Sequence, residues 1–224
     1  MTRGIETAAL AIGFAVAGLV ALAIAFGGTA TYRSIMRDYA PAAWHVTGEN
    51  GPRVDQLPLD ALTDWHNSWF AYVTGDSERA PVSFGASVFT TSEYSHMADV
   101  RGVFVGARII AVVAAVSAGL LLGLSWRRDP RAALRLARDA GVAAGAGMAV
   151  VAALAVVAFD PLFLLFHEVF FPQGNFLFGP DSNLIAMYPD AYWSGVTLRI
   201  GVAFVLSMAL IAGVTTATLR SRRR

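Results

Sequence analysis

Four long stretches of this chain contain no charged residue. Thr7–Phe26, Ala140–Phe159 and Ile200–Leu219 each run for 20 residues, and Ile109–Trp126 runs for 18. A helix of about 20 apolar residues spans the roughly 30 Å hydrocarbon core of a bilayer. The pattern predicts a polytopic membrane protein, in agreement with a charged fraction of only 15%. It excludes a soluble enzyme, a disordered chain and a secreted disulfide scaffold.

Several kinds of chemistry are excluded because the chain lacks the residues or motifs that they need. It has no cysteine, and all 17 basic residues are arginine, so thiol nucleophiles, thiolate metal sites and lysine chemistry are absent. It also has no Gly-x-Ser-x-Gly, His-Glu-x-x-His or glycine-rich phosphate motif. The net charge of +1 gives no reason to expect nucleic acid as a partner. No cofactor and no metal are expected.

The expected fold is an all-α membrane protein with four transmembrane helices and a long, partly structured first outer loop. Residues 1–224 are expected to form a single membrane domain. The spans are expected at about residues 6–27, 102–126, 140–165 and 196–219. They are joined by outer loops of about 28–101 and 166–195 and by an inner loop of 127–139.

The distribution of arginines predicts the orientation of the chain. With a cytoplasmic N-terminus, the N-terminal, inner-loop and C-terminal segments together hold ten arginines and three acids, whereas the outer segments hold six arginines. Positive residues crowd short cytoplasmic segments. We therefore expect a multi-pass protein with both termini in the cytoplasm.

The first outer loop is too long for a simple connection and carries local signals of structure. Apolar residues recur every three or four positions from Leu59 to Val73, which predicts a short amphipathic helix. Asn50-Gly51 is a turn signal, and the alternation from Val82 to Val88 indicates a strand.

The segment before the second span contains the first candidate site. Thr90 and Glu93 have the spacing of a capping box, so a helix that carries His96 and Asp99 is expected to begin there. Residues at i and i+3 share a helix face, so Asp99 could orient the imidazole. The alternative is an interfacial cap region with one ion pair to Arg101.

The second outer loop contains the other candidate. Six of the 14 phenylalanines lie between Phe163 and Phe178, and His167 and Glu168 stand among them, with Asn175 in the same stretch and Asp181 just after it. An apolar wall with a few polar groups is what a pocket for an acyl chain and its ester requires. The alternative is an interfacial aromatic belt with an incidental histidine.

Arg108 and Asp160 form a further pair of interest below the outer surface. A lone charge at that depth is costly and is usually paired or functional. Either the two residues form a mutual ion pair, or both face a polar cavity that leads to the histidines.

Two segments, Glu93–Val100 and Phe166–Phe171, have a distinctive sequence. They are followed by Gly174-Asn175, Pro180-Asp181, Leu184-Ile185, Pro189 and Tyr192-Trp193. These residues resemble those of a family of bacterial integral membrane proteins, the lipoprotein intramolecular transacylases or Lit family. The likeness covers the layout of the whole chain, with four spans, one long and one short outer loop, and both histidine segments in order.

The resemblance implies an acyltransferase of the bacterial plasma membrane that acts on a diacylglyceryl-modified lipoprotein held in membrane lipid. It would move the sn-2 acyl chain from glycerol to the α-amine of the N-terminal cysteine, at a site on the outer side. His96 and His167 would be the acid–base pair, with His167 the slightly better base because of its apolar surroundings. The residues expected to support the pocket are Asp99, Asn175, Asp181, Glu168, Arg108 and Asp160. Asp99 would orient His96, and a second imidazole or Asn175 could donate to the developing oxyanion or protonate the leaving glycerol oxygen.

Two functions from other classes stay open. A metal-dependent membrane hydrolase would use His96, Asp99, His167 and either Glu168 or Asp181 as ligands. A non-catalytic membrane component would dock an assembly partner through the first outer loop. The second alternative becomes the favoured one if His96 and His167 lie far apart in the fold.

Overall fold

The computed structural model describes residues 3–38, 42–82 and 86–221. In chain order, its elements are α1 (Arg3–Phe26), α2 (Thr29–Met36), β1 (Ala42–Gly48), β2 (Gly51–Leu57), α3 (Leu59–Thr74), β3 (Ala86–Ser87), α4 (Thr91–Arg128), α5 (Pro130–Val157), α6 (Phe159–Phe170), α7 (Asn183–Met187) and α8 (Asp190–Ser221). Within these residues, the helices long and apolar enough to cross a membrane are α1, α4, α5 and α8. The prediction of a helical membrane protein with four spans and a long, partly structured loop between the first two is confirmed.

The third span begins earlier than expected. Helix runs through the expected inner loop of 127–139 and is interrupted only at Asp129. Pro130 disfavours helical geometry at the residue before it and is itself well suited to the first position of a helix. Asp129 Oδ1 also accepts a hydrogen bond from the Arg131 N–H at 2.8 Å, as an N-cap does.

The third span also ends earlier than expected. The helix was expected to run to about residue 165, but α5 stops at Val157 and α6 begins at Phe159. Pro161 therefore lies in the first turn of α6, where its missing N–H leaves no intrahelical bond unmade. Because of this break, the second histidine lies on a separate helix, α6.

The first of two compact units comprises the segments Met1–Ala23, Ala107–Val157 and Leu198–Arg224. Its helices approach closely where their residues are small. Gly13 of α1 lies against Ala118 of α4, and Gly141 and Gly145 of α5 lie against Met208 of α8. A Cβ atom at Gly145 would come within 3.1 Å of the Met208 Cβ. Close backbone approach at small residues is how transmembrane helices associate in lipid.

The second compact unit comprises Ile24–Gly106 and Ala158–Thr197 and contains a three-stranded sheet in the order β2-β1-β3. Strands β1 and β2 form an antiparallel hairpin, and Gly51 adopts a φ of +86° at its turn. The turn signal at Asn50-Gly51 therefore marks the hairpin.

Two further predictions for the first outer loop concern α3 and β3. The predicted amphipathic helix is confirmed as α3, which buries Leu62 and Val73 and is capped after Thr74 by Gly75 with a φ of +85°. The strand indicated over residues 82–88 is present as the two residues of β3. Residues 83–85 of that stretch, including Phe84, lie outside the described residues.

Candidate active site

The capping box that starts α4 is confirmed. The Thr90 N–H donates to Glu93 Oε2 at 2.6 Å, and the Glu93 N–H donates to Thr90 Oγ1 at 3.2 Å. Helix α4 therefore begins at Thr91 and carries His96 and Asp99 in its early turns. Local sequence thus decides where the first histidine lies along the helix.

The second histidine lies in the last turn of α6. His167 Nδ1 is 2.8 Å from the Phe163 carbonyl oxygen, one turn earlier on the same helix. A carbonyl oxygen can only accept, so Nδ1 carries the proton in this bond. In the neutral ring, Nε2 is then the basic nitrogen.

The structure brings the two histidines together. The ring centroids of His96 and His167 are 6.1 Å apart, and the rings are nearly parallel at 21°. His96 is the more deeply buried of the two, with 8% of its surface exposed, whereas His167 is half-buried. The condition that would favour a non-catalytic component, histidines far apart, is therefore not met.

Phenylalanine rings form a wall around both imidazoles. The ring centroids nearest to His96 are those of Phe171 at 4.9 Å and Phe178 at 5.5 Å, and those nearest to His167 are Phe163 at 4.2 Å and Phe176 at 5.2 Å. These residues come from α6 and from the loop that follows it. A mostly apolar wall with a few polar groups is typical of a small-molecule site.

Asp99 joins α4 to the loop after α6. Its Oδ2 atom accepts hydrogen bonds from Gln173 Nε2 and from Asn175 Nδ2, each at 2.7 Å. Sequence reasoning named Asp99 and Asn175 but missed Gln173, whose only signal was a polar amide within an aromatic stretch. The carboxylate thus holds the loop that contributes three of the four phenylalanines of the aromatic wall.

Two buried polar atoms of this site make no hydrogen bond of regular geometry with another described residue, although the Asn175 side chain lies within hydrogen-bonding reach of the His96 imidazole. They are His96 Nδ1 and Asn175 Oδ1. Buried polar atoms in folded proteins nearly always find a partner, so these two atoms are available to each other or to the polar groups of a ligand. In Asn175 this atom is the amide oxygen, which is an acceptor, whereas the amide nitrogen donates to Asp99.

Glu93 organises the far end of the same loop. Its carboxylate is 2% exposed, and Oε1 accepts from Ser182 Oγ at 2.6 Å and from the Leu184 N–H at 3.2 Å. Asn183 donates to the His45 carbonyl at 2.6 Å and accepts from the His45 N–H at 2.8 Å. The capping pattern pointed to Glu93, but no sequence signal indicated that the loop would bury it.

Two of the other expected pocket residues are exposed. Glu168 is exposed on α6, and Asp181 is exposed beside a separate cavity. Arg108 belongs to the first compact unit and Asp160 to the second. The pairing of Arg108 with Asp160 stays a prediction.

The ligand set of the metal-dependent alternative is not assembled in the described part of the chain. No three histidine, aspartate or glutamate side chains among those residues form a group that could hold a metal ion. Asp99 Oδ2 is instead engaged by two amides.

Fold and composition define a multi-pass membrane protein, and its paired histidines lie in an aromatic pocket. The sequence profile of the family described as "Lipoprotein intramolecular transacylase Lit" matches residues 16–193. The chain belongs to this family, as the histidine segments predicted. Lit proteins are acyltransferases, and this chain is an enzyme of that class.

Solved structures give the same fold. The chain is similar to the membrane integral lipoprotein intramolecular transacylase Lit from Bacillus cereus, with 15% identity and a TM-score of 0.70 over 99% of this chain and 97% of that one. Two further structures of the Bacillus cereus protein, in which one histidine is replaced by arginine or by alanine, match with TM-scores of 0.66 at 15% identity. They cover 99% of this chain and 93% and 95% of the respective matched chains. A comparison with curated protein sequences finds no match.

Proposed function

We propose that this protein moves the sn-2 acyl chain of a diacylglyceryl lipoprotein to the α-amine of the lipoprotein's own N-terminal cysteine. The observation that carries the proposal is the stacked His96–His167 pair in a phenylalanine wall. The buried atoms His96 Nδ1 and Asn175 Oδ1 add one position for an ester or glycerol oxygen and one for an amine. Family membership supports lipoproteins as the substrate class.

His167 is the general base in this proposal. A free α-amine has a pKa of about 8, so much of it is protonated at neutral pH and is not a nucleophile. The neutral amine reacts, and Nε2 of His167 takes one of its two protons as the nitrogen attacks the ester carbonyl, because Nδ1 is held by the Phe163 carbonyl. The same nitrogen returns the proton to the glycerol oxygen as the carbon–oxygen bond breaks, leaving an amide and a free hydroxyl.

In this proposal His96 acts on the ester, and Asn175 acts on the amine that attacks it. With its proton on Nδ1, His96 donates to the oxyanion that forms when the amine adds to the ester. Asn175 Oδ1 accepts from the amine N–H and orients the nitrogen. The sequence left the oxyanion to a second imidazole or to Asn175, and we assign it to His96, since one N–H of the Asn175 amide already donates to Asp99 at 2.7 Å.

No covalent acyl-enzyme is needed for this reaction. Ester and amine belong to one molecule, so holding them in reactive geometry supplies a large part of the rate enhancement. This accounts for a chain without cysteine and without a serine elbow. We also propose that the site faces the outer side of the bacterial plasma membrane, in line with the arginine distribution.

The test uses a reporter lipoprotein in cells that lack any other N-acylating enzyme. Acyl transfer within one molecule leaves the intact mass unchanged, so tandem mass spectrometry must distinguish N-acyl from O-acyl fragment ions. We expect His96→Ala and His167→Ala each to lower conversion by roughly 10²- to 10⁴-fold. The double variant should be little worse than either single one, because residues that act as a unit are not additive.

Ser95→Ala is the matched control, since Ser95 is exposed and adjacent to His96 on α4. It should convert the reporter normally. Normal conversion by both histidine variants would refute the proposal. Activity that is lost on chelation and restored by zinc would favour the metal-dependent alternative instead.

A further inference from the structure

A cavity of about 260 Å³ lies between the three-stranded sheet and the loop that follows α6. Neither His96 nor His167 lines it. The polar side chains of its wall include His45, Arg53, Ser87, Glu93, Asp181 and Asn183. All of them belong to the second compact unit.

The cavity and the histidine pocket share two segments, the start of α4 and the loop that follows α6. Glu93 lines the cavity and precedes His96 by three residues on α4, a rise of about 4.5 Å along the helix axis. The loop that Asn175 ties to Asp99 continues to Asp181, which also lines the cavity. A molecule bound at the histidines therefore has this cavity as a neighbour along α4.

The charged side chains of the cavity wall indicate which kind of molecule binds there. Arg53 uses Nε to hold Asp55 at 2.8 Å, and both side chains remain partly exposed. Asp181 is exposed, whereas Glu93 is buried and engaged by the loop. An acyl chain requires an apolar wall, and a phosphate requires excess positive charge. A wall with both donors and carboxylate acceptors suits a peptide backbone.

We propose that this cavity holds the first residues of the lipoprotein chain that follow the acylated cysteine. This inference rests on the proposed function. The acyl chains stay in lipid, and the ester and amine lie between the histidines, so the peptide must leave the pocket by a polar route. Arg53 donates to the peptide carbonyls, and Asp181 accepts from its N–H groups.

The experiment compares two synthetic substrates with the purified full-length protein in detergent micelles. One is diacylglyceryl cysteine amide, and the other carries four further polar residues after the cysteine. Conversion is followed by tandem mass spectrometry, and KM and kcat are determined for each. We expect the longer substrate to have a KM lower by about tenfold or more, with little change in kcat.

Two kinds of variant locate the effect in the cavity. Ser87→Trp fills the space from β3, and Asp181→Asn removes a charge without changing shape. Each variant should raise the KM of the longer substrate toward that of the short one. The KM and kcat of the short substrate should not change. Unchanged conversion of the short substrate also shows that a variant is folded. Asp64→Asn on the exposed face of α3 is the matched control and should leave the KM of both substrates unchanged.

The outcomes separate this inference from the proposed function. Conversion of neither substrate by the unmodified protein refutes the transacylase proposal. Conversion of both with equal KM refutes the peptide site alone. Equal losses for both substrates in Asp181→Asn also refute it, because they place Asp181 in general stability or chemistry rather than in peptide binding. If Ser87→Trp fails to fold, Asp181→Asn decides the question.

Discussion

Acid should destabilise this protein through His66, a histidine outside the proposed catalytic pair. His66 lies on α3 with 1% of its surface exposed, and it stacks on Tyr32 with ring centroids 4.0 Å apart. Its Nδ1 atom is 3.2 Å from the Tyr188 hydroxyl oxygen. Burial lowers the pKa of His66 from 6.5 to about 4, an effect that the Gly27 carbonyl partly opposes.

The sign and size of the effect follow from these two pKa values. As the pH falls through 6.5, the unfolded chain binds a proton at His66 that the folded protein does not bind until about pH 4. The unfolded state therefore gains stability in that window, and the free energy of unfolding falls as the pH is lowered. At 1.36 kcal/mol per pH unit, the loss is about 3 kcal/mol by pH 4.

The assay is guanidinium unfolding in detergent, followed by tryptophan fluorescence at several pH values between 7 and 4. The variant is His66→Phe with Tyr188→Phe, which keeps an aromatic ring stacked on Tyr32 and leaves no buried hydroxyl without its partner. We expect the pH dependence of the double variant to be smaller than that of the unmodified protein by about 3 kcal/mol across this range.

Leu62→Ala on the same helix is the control. Leu62 is fully buried, so its truncation should lower the free energy of unfolding by about 2–5 kcal/mol at every pH without changing the slope. If the double phenylalanine variant keeps the full pH dependence of the unmodified protein, the assignment to His66 is wrong.

Three further outcomes are expected. Reporter fusions after Arg138 should indicate the cytoplasm and fusions after Gly75 the outer side, and an outer signal at Arg138 would overturn the topology. If Asp160 and Arg108 pair, Asp160→Ala should lower the free energy of unfolding by about 3–5 kcal/mol, and the double alanine variant should lose less than the sum of the single losses. Asn175→Ala should lower kcat/KM by about tenfold or more in the transacylase assay, and rates equal to those of the unmodified protein would remove Asn175 from amine orientation.

Features that depend on residues close together along the chain could be predicted from the sequence. Uncharged runs of 18–20 residues identify the spans because the bilayer sets the required length. Thr90 and Glu93 identify the start of α4 because a capping box is made within one turn. The two ends of the third span are predicted less accurately. Pro130 and Pro161 change where helices begin and end through backbone geometry, which the apolar composition of a segment does not indicate.

The convergence of distant residues was decided by the tertiary structure alone. A four-span membrane protein of the Lit family and its two histidine segments can be identified from the sequence, since hydrophobicity and motifs are properties of short stretches. The site required the loop after α6 to fold back onto α4, where Asp99 meets Asn175 across 76 residues and Glu93 meets Ser182 across 89. Such hydrogen bonds follow from how the loop packs, and packing depends on the shape of every neighbouring side chain at once. For that reason the burial of Glu93, the role of Gln173 and the 6.1 Å separation of the histidine rings appear only in the folded protein.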